Sequence, residues 1–432
     1  MAQSSGPTLP PEPRTIEETG LTLTFLADLT LKTMYALGSL KGHEIAGTLH
    51  LPFVHVVEQA LDHLRHEHLS EVRGATGFGE SSYQYVISEE GRAHARELME
   101  QNQYVGPAPV PLQTYIEKVH AQSVAGQMIT RDILKRALAH LVINGAVLNQ
   151  LGPAINSGKA VFLFGNPGNG KTTIAEAIGA AVPGTIFVPY AINVSGHIIK
   201  VFDALHHRVV PEKADSADAQ PGILQGERYD RRWAHIYRPL IAAGGELMLE
   251  NLDLIYDPAM KFYEAPFQMK ANGGMFLVDD FGRQQARPRD LLNRWIVPLE
   301  KRVDYLTLTT GHKIDVPFDA LIIFATNLNP AELVDEAFLR RIRYKIHVVD
   351  PTWEEFREIF IRETAKRNLK YSEEVMRHIV MEYYIKPKRR PRAVHPRDIL
   401  DELTNIARFN GAIPTLSKDL VDLACQTYFL KT

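Results

Sequence analysis

The sequence predicts an α/β protein with a parallel central sheet, and three observations support this prediction. Between residues 126 and 348, helix-like patterns alternate with short apolar runs, an order typical of parallel strands joined by crossover helices. The apolar run at residues 161–164 leads directly into a glycine-rich loop and then into a helix-like segment. Residues 352–430 contain only helical patterns, so we expect residues 349–432 to form a small helical domain.

The length and composition fit a folded protein of two or three domains. The chain has 432 residues, of which 45% are hydrophobic and 23% charged, and this balance excludes wholesale disorder. The single cysteine, Cys425, cannot form an internal disulfide or a cysteine metal cluster, which favours a reducing compartment, the cytoplasm. The sequence has no run of 18 apolar residues and no signal-peptide pattern, so we expect neither secretion nor a membrane span.

The N-terminal region has its own composition. Residues 1–21 are rich in Pro, Ser, Glu and Thr and are expected to form a flexible tail. The pattern of residues 22–104 predicts three helices, at 23–37, at 43–50 and from Pro52 onward. A β-hairpin follows, formed by the strand-like runs 69–73 and 83–87. The third helix has one apolar face, formed by Phe53, Val56, Val57, Ala60, Leu61 and Leu64. Residues 105–125, rich in Pro and Gly at their start, are expected to act as a stiff linker.

The order helix, helix, helix, hairpin resembles a winged-helix domain, and winged helices often bind DNA through their third helix. The outward face of that helix has two carboxylates and one arginine, on the residues His55, Glu58, Gln59, Asp62, His63, Arg65 and His66. Residues 1–110 carry 7 Lys and Arg against 14 Asp and Glu, a net charge of −7, which leaves 41 against 37 for the rest of the chain. An acidic module lacks the cations that neutralise phosphates. This favours a protein-interaction or oligomer-regulating role over DNA binding, which stays open.

The loop after the first core strand has the residues that a phosphate-binding loop requires. It matches the Walker A pattern G-x-x-x-x-G-K-T, and its residues are Gly165, Asn166, Pro167, Gly168, Asn169, Gly170, Lys171, Thr172 and Thr173. Glycines allow backbone N–H groups to surround phosphate oxygens, and the following helix N-terminus adds positive potential. Lys171 is expected to contact the β- and γ-phosphates of ATP, and Thr172 to ligate Mg²⁺.

A second apolar run, residues 275–278, ends in Asp279 and Asp280 and has the Walker B form. Asp279 is expected to hold the Mg²⁺ shell together with Thr172. Asp280 stands where such ATPases usually have a glutamate that polarises the attacking water. Because aspartate is one methylene shorter, either the water lies closer or hydrolysis is slow.

With these two motifs, residues 126–430 resemble the AAA+ ATPases. The resemblance implies that Asn327 occupies the sensor 1 position and helps to orient the water. It implies an arginine finger in the segment 337–342, for which Arg341 is favoured and Arg340 and Arg343 are rivals. In the motif His395-Pro396-Arg397, Arg397 matches sensor 2. Because an arginine finger completes the site of a neighbouring subunit, the resemblance also implies a ring or helical homo-oligomer, by analogy a hexamer.

Three further segments bear on the subgroup and the partner. Two alternating runs in residues 302–316, about Thr310-Gly311-His312, predict a hairpin similar to the pre-sensor-1 insertion of sigma-54 activators, MoxR-like ATPases and helicase-type members. Sigma-54 activation is disfavoured because the sequence contains no GAFTGA loop. Residues 206–264 are an expected insert, with a polar stretch at 212–221 and a hairpin about Gly244 and Gly245. This insert either engages a substrate or is a surface elaboration.

The most basic run of the chain, residues 386–392, is expected to be a solvated loop between lid helices. Together these features predict a cytoplasmic Mg-ATP-dependent AAA+ ATPase, acting as an oligomeric motor that remodels or regulates a protein partner, with no membrane partner. One alternative is a DNA-binding ATPase that uses the winged helix for transcription or DNA processing. Another is a nucleotide-gated scaffold in which Asp280 supports only slow hydrolysis.

Overall fold

The computed structural model describes residues 8–75, 77–126, 128–211, 229–333 and 336–429. After the one-turn helix α1, its N-terminal part has three longer helices, then a hairpin, then one more helix, so the predicted order of helices and hairpin is confirmed. Its three-stranded antiparallel sheet has the order β1-β3-β2. The elements are α1 (Ile16–Thr19), α2 (Leu23–Leu37), β1 (Leu40–Lys41), α3 (Gly42–Leu49), α4 (Glu58–His66), β2 (Ser70–Ala75), β3 (Tyr83–Ile87) and α5 (Glu89–Gln101).

The chain continues through two five-stranded and two two-stranded sheets and ends in helices. The elements are β4 (Val110–Pro111), α6 (Leu112–Ala121), α7 (Arg131–Ala137), α8 (Gly145–Asn156), β5 (Val161–Phe164), α9 (Lys171–Ala181), β6 (Thr185–Pro189), β7 (Ala191–Val194), β8 (His197–Lys200), β9 (Trp233–Tyr237), β10 (Leu240–Ala243), β11 (Ile255–Asp257), β12 (Phe262–Glu264), α10 (Phe267–Lys270), β13 (Met275–Val278), α11 (Pro288–Lys301), β14 (Val303–Thr307), β15 (Lys313–Pro317), β16 (Leu321–Thr326), α12 (Pro330–Leu333), α13 (Glu336–Leu339), β17 (Tyr344–His347), α14 (Trp353–Lys366), α15 (Glu373–Ile379), α16 (His395–Phe409) and α17 (Lys418–Tyr428).

The third helix of the N-terminal domain begins later than its apolar pattern predicts. Val54 is extended (φ −65°, ψ 129°) and His55 is left-handed (φ 65°, ψ −6°), so regular α geometry starts only at Glu58. The prediction that Pro52 occupies the first helical turn is therefore wrong. The apolar face is buried nonetheless. Val56, on the C-terminal side of this kink, and Leu61 are both 0% exposed.

The prediction of a flexible tail is wrong for residues 8–21. Ile16 and Leu21 are each 7% exposed and belong to the hydrophobic core of the N-terminal domain. The carbonyl of Pro10 accepts a hydrogen bond from the backbone N–H of Asp230 at 2.9 Å. Two apolar side chains and a β-bridge between Pro11 and Tyr229 thus order a segment whose composition is that of a tail.

The segment predicted as a linker, residues 105–125, is packed rather than extended. It contains β4 and α6, and α6 buries Tyr115 and Val119 in the core beneath the second sheet. The hydroxyl of Tyr115 accepts a hydrogen bond from Asn272 Nδ2 at 2.9 Å. The connector therefore joins the N-terminal domain to the rest of the protein through buried contacts.

The central sheet has five parallel strands in the order β10-β13-β16-β5-β17. Numbered along the chain, this is the order 2-3-4-1-5, with helices packed on both faces. The apolar run at residues 185–190, one of the short runs that alternate with helices between residues 126 and 348, is not part of this sheet, because β6 pairs antiparallel with β9. The edge position is taken by β10, whose Ile241 is 0% exposed. The predicted hairpin about Gly244 and Gly245 is therefore also wrong.

A second sheet of five strands, in the order β11-β12-β8-β7-β4, packs on the N-terminal domain through Ala191 and Ile198. Its strands β7 and β8 precede residue 206, so the inserted structure begins earlier than predicted. The polar stretch 212–221 lies outside the described residues. The hairpin predicted in residues 302–316 is confirmed. It consists of β14 and β15, which pair antiparallel from Val303↔Pro317 to Thr307↔Lys313.

The C-terminal helices α14 to α17 lie where the sequence predicts them and enclose their own core, in which Cys425 is buried. Among the described residues, no helix is both long and apolar enough to cross a membrane.

Candidate nucleotide site

The glycine-rich loop, residues 165–170, connects β5 to α9 in a conformation that only glycine adopts easily. Gly165, Gly168 and Gly170 have φ values of 148°, 82° and 79°. A Cβ on Gly165 would lie 2.3 Å from the carbonyl oxygen of Val348, so a side chain is excluded there by space as well. The loop ends at Lys171, the first residue of α9, where helix N–H groups remain available to an anion.

Lys171 is held over this loop by three acceptors. Its Nζ donates to the carbonyls of Gly165 at 3.0 Å and Asn166 at 2.9 Å, and to Asn327 Oδ1 at 2.6 Å. The residue is 8% exposed. Burial lowers the pKa of Lys171, and the nearby carboxylates of Asp280 and Asp279 only partly offset this. The ammonium is therefore preoriented by neutral oxygens, in a place where an added anion would be favoured.

The two aspartates after β13 have different partners. Thr172 Oγ1 donates to the carboxylate of Asp279, at 3.0 Å from Oδ1 and 2.9 Å from Oδ2. Asp280 Oδ1 accepts from Asn327 Nδ2 at 2.9 Å. The backbone of Asp280 is left-handed, with φ 48°, a region that aspartate tolerates better than longer side chains do. This gives a local physical reason for Asp rather than Glu at position 280.

A cleft of about 490 Å³ opens between the glycine-rich loop, the segment 140–143 and the lid. Its walls include Lys171, Thr172, Asp279, Asp280 and Asn327 from the core. The lid contributes Arg397, whose guanidinium is 60% exposed and paired with Asp398 at 2.9 Å. The structure thus brings the two motifs, Asn327 and Arg397 to one cleft, as the sequence predicts for their positions.

The arginine-finger candidates do not line this cleft. Arg341 Nε lies 2.6 Å from Glu300 Oε1, at the end of α11, and the Arg341 side chain is 30% exposed. Arg340 pairs with Glu336 at 3.0 Å and is 76% exposed. Arg343 is exposed. In a single chain, none of these three residues completes the site.

Sequence reasoning missed Asp350, which lies just beyond the end of β17. Its carboxylate accepts from Asn166 Nδ2 and Asn169 Nδ2 in the glycine-rich loop, at 3.0 and 2.8 Å, and from Arg392 Nη1 at 2.8 Å. Burial raises the pKa of Asp350, but the hydrogen bonds from Asn169, Arg392 and Asn166 outweigh this and lower it. The available signal was a carboxylate beyond the carboxyl end of a core strand, where ligand sites collect.

The expectation that residues 386–392 form a solvated loop is wrong for two of its arginines. Arg392 binds Asp350, and Arg389 lies over the ring of Phe429, with its guanidinium carbon 3.7 Å from the ring centroid. Arg389 also donates to the carbonyl of Tyr383 at 2.9 Å. Only the exposed members of the run, such as Lys386, match the prediction.

The lid is expected to lose stability in acid because of His395. Burial, followed by the nearby Arg392 and Arg389, lowers the pKa of this histidine to about 4. In the unfolded chain its pKa is about 6.5. The unfolded state therefore binds the proton more strongly, and stability falls as the pH decreases from about 6.5 to about 4. The measurement is the thermal midpoint at pH 7 and at pH 5.

Replacing His395 by Gln should flatten this acid dependence, since glutamine does not titrate in this range. The matched control is His378→Gln, at a second histidine of the lid, in α15. The Nε2 atom of His378 lies 2.7 Å from Asp422 Oδ1. If the His395→Gln variant keeps the full loss of midpoint between pH 7 and pH 5, His395 is not the responsible group.

The core can now be compared with known folds. A parallel sheet in the order 2-3-4-1-5 carries a glycine-rich loop after strand 1, carboxylates after strand 3 and an asparagine after strand 4, and a helical lid follows strand 5. The core has the AAA+ fold. That assignment comes from the strand order and the loop geometry of the chain itself.

Comparisons with known proteins give one family model and several distant structural neighbours. A family model described as a domain of unknown function (DUF8689) matches residues 352–427, within the AAA+ lid. No curated protein matches the chain significantly. Among solved structures, NtrX from Brucella abortus aligns with a TM-score of 0.41 and 15% identity over 69% of this chain, and its complex with ADP with 0.39 and 16% over 66%. A mutant of RuvB from Thermotoga maritima aligns with 0.38 and 11% over 66%.

The chain spans 58% and 56% of the two NtrX chains and 70% of the RuvB chain.

Proposed function

We propose that this protein is a Mg-ATP-dependent AAA+ ATPase that works as an oligomeric motor on a protein partner. One observation carries the proposal, namely the hydrogen-bonded group formed by Lys171, Thr172, Asp279, Asp280 and Asn327 at the mouth of the glycine-rich loop. An ammonium, a hydroxyl and two carboxylates in contact around a helix N-terminus suit the binding and cleavage of a nucleoside triphosphate.

The residues present fit a metal-bound nucleotide. The Thr172 hydroxyl lies within 3.0 Å of the Asp279 carboxylate, so two hard oxygen ligands meet at one place, as Mg²⁺ prefers. The positive φ of Gly168 and Gly170 leaves a cradle without side chains beside Lys171. An apolar side of the cleft, suited to a base, is formed by Leu141, Val142, Ile143 and Ile359.

In this mechanism each side chain has a separate task. Mg²⁺ bound with ATP would neutralise charge on the phosphates. Thr172 and Asp279 would hold the metal, and Lys171 would turn from the loop carbonyls toward the phosphates. Asp280 would accept the proton of the attacking water at its carboxylate, and Asn327, already 2.9 Å from that carboxylate, would orient the water.

The catalytic site would be completed by a second subunit. Arg341, Arg340 and Arg343 all lie away from the cleft in one chain, so the developing charge on the γ-phosphate lacks an arginine from its own subunit at these positions. An arginine supplied by a neighbour, for which we favour Arg341, would meet this need in a ring or helical oligomer, with a hexamer as the expected size. Arg397 would make the lid sensitive to bound nucleotide.

The partner-binding surface would include the N-terminal domain, which we interpret as a winged helix. Its net charge of −7 over residues 1–110 favours a protein partner over DNA. The second sheet packs on this domain through Ala191 and Ile198, and it shares one hydrophobic cluster with the hairpin β14–β15. Movement driven by the nucleotide would pass through them to the partner.

A second candidate function is a nucleotide-gated scaffold. Asp280 is held by Asn327 and is shorter than glutamate, which favours slow turnover. In that case ATP would set the oligomeric state, and hydrolysis would only reset it.

Both candidates are tested by measuring the molar mass of the protein in solution together with its ATPase rate, for the full chain with and without ATP and Mg²⁺. ATP-dependent assembly with sustained turnover supports the motor. Assembly with turnover near background selects the scaffold. A protein that neither assembles nor binds ATP would contradict both, and salt-dependent binding to duplex DNA would revive the DNA-linked alternative.

A further inference from the structure

The glycine-rich loop is tied to the lid through one largely buried carboxylate. Asp350 is 14% exposed in its side chain, and Arg392, its partner from the lid, is 24% exposed. Asn166 Nδ2 lies 3.0 Å from Asp350 Oδ1 and 3.2 Å from Oδ2, and Asn169 Nδ2 lies 2.8 Å from Oδ1. The two asparagines occupy variable positions of the loop motif, so the motif itself does not require asparagine at either position.

Backbone contacts reinforce the same junction. The N–H of Val394 donates to the carbonyl of Gly168 at 2.8 Å, and the N–H of Ala393 donates to Asn169 Oδ1 at 3.3 Å. A Cβ on Gly168 would lie 2.6 Å from Val394 Cγ1. Residues 392–394 therefore lie directly on the apex of the glycine-rich loop, on a contact separate from Arg397.

This junction has a physical consequence for phosphate binding. Asparagine side chains in loops often bond to nearby backbone N–H groups, and such bonds would compete with phosphate oxygens for the N–H groups of the loop. The Asp350 carboxylate fixes the orientation of both asparagine side chains through their Nδ2 groups. Asn169 Oδ1, an acceptor that could compete for loop N–H groups, is bound instead by the N–H of Ala393. Because Arg392 shares the same oxygen of Asp350 as Asn169, the position of the lid affects the loop.

We propose that Asp350 and Arg392 are positioning residues that dock the lid on the glycine-rich loop and thereby couple lid position to nucleotide affinity. The inference rests on the proposed nucleotide site, but the docking contact exists without nucleotide. On this proposal, Arg392 is a second functional arginine of the lid, and its role differs from that of Arg397. Arg392 acts through the loop, whereas Arg397 lines the cleft.

The first measurement needs no nucleotide. Hydrogen exchange of the segment containing Val394 is compared in the full-length wild type, Asp350→Asn, Arg392→Gln and a matched control, Arg390→Gln, at an exposed arginine of the same run. We expect the Val394 amide to exchange about tenfold faster in the first two variants because its bond to Gly168 opens more often, and to be unchanged in the control.

The second measurement separates positioning from chemistry. With ATP and Mg²⁺, Asp350→Asn and Arg392→Gln should raise KM about tenfold and change kcat less than twofold, and Arg392→Lys should restore part of the affinity. Unchanged exchange in both variants would overturn the docking contact. Faster exchange with unchanged nucleotide affinity would overturn the coupling.

The two proposals fail in different ways. If the wild type binds no nucleotide, the proposed function fails, while the exchange experiment still decides whether Asp350 and Arg392 dock the lid. If Asp350→Asn does not fold, Arg392→Gln decides alone, since Arg392 lies at the lid surface of the junction. An equal effect in Arg390→Gln would count against the specific role of Asp350.

Discussion

Replacing Arg341 by alanine is expected to lower ATP turnover about a thousandfold while nucleotide affinity stays within about twofold. The reason is geometric. Arg341 does not line the cleft of its own chain and is held by Glu300 at 2.6 Å, so its loss leaves the binding site of that chain intact. The developing charge on the γ-phosphate of the neighbouring subunit would lose its stabilising guanidinium. Steady-state turnover and equilibrium nucleotide binding are measured on the same preparation.

A mixing experiment separates action in trans from a structural defect. On this proposal, subunits with Arg341→Ala would bind nucleotide but lack the finger, and subunits with Lys171→Ala would carry the finger but bind nucleotide weakly. Mixed in one oligomer, they form composite sites, so turnover should reappear. Arg289→Ala, at an exposed arginine of α11, is the matched control and should keep full activity.

Two outcomes would change the assignment. Wild-type turnover in the Arg341→Ala variant, with a collapse in Arg340→Ala or Arg343→Ala, would move the finger to one of its rivals. Full turnover in all three variants would contradict the trans-acting site.

Replacing Lys171 by alanine is expected to weaken nucleotide binding roughly a thousandfold, because the ammonium supplies the charge-assisted hydrogen bonds to phosphate oxygens. Its Nζ is bound by two loop carbonyls and Asn327, so the variant also removes the donor that Lys171 provides to Asn327 Oδ1. The measurement is the rise in thermal midpoint on adding saturating ATP and Mg²⁺. The wild type should show a clear rise by mass action, and the variant none.

The control for this prediction is Lys159→Ala, at an exposed lysine shortly before β5. It should keep the ATP-dependent rise. The midpoint without nucleotide reports whether the Lys171→Ala variant is folded. A folded variant that still binds ATP tightly would contradict the assignment of the glycine-rich loop.

Much of the fold could be predicted from local patterns. β5, β13 and β16 are apolar runs that lead into polar or glycine-rich segments, and the hairpin β14–β15 alternates about a Gly-containing turn. The residues that meet in the cleft could also be predicted, because Lys171, Thr172 and Asp279 belong to recognisable motifs. Each of these features depends on residues that are close in sequence.

Other features were decided by packing between distant segments. The runs at residues 185–189 and 240–243 are both short and apolar, and only their neighbours placed β6 against β9 and β10 at the edge of the central sheet. Residues 8–21 have the composition of a tail, yet the burial of Ile16 and Leu21 orders them. Composition does not reveal a partner surface that lies far away along the chain, such as Asp230 beside Pro10.

By itself, the sequence determined the type of core and the residues of the candidate nucleotide site, since a glycine-rich loop, a carboxylate after an apolar strand and a run of helices are local signals. Only the tertiary structure revealed Asp350, because its role depends on Asn166 and Asn169 from one segment and Arg392 from another converging on one carboxylate. Hydrogen bonds require atoms to lie within about 3 Å. Pattern reading gives spacing along the chain, whereas folding sets the distances between segments that are 42 to 184 positions apart.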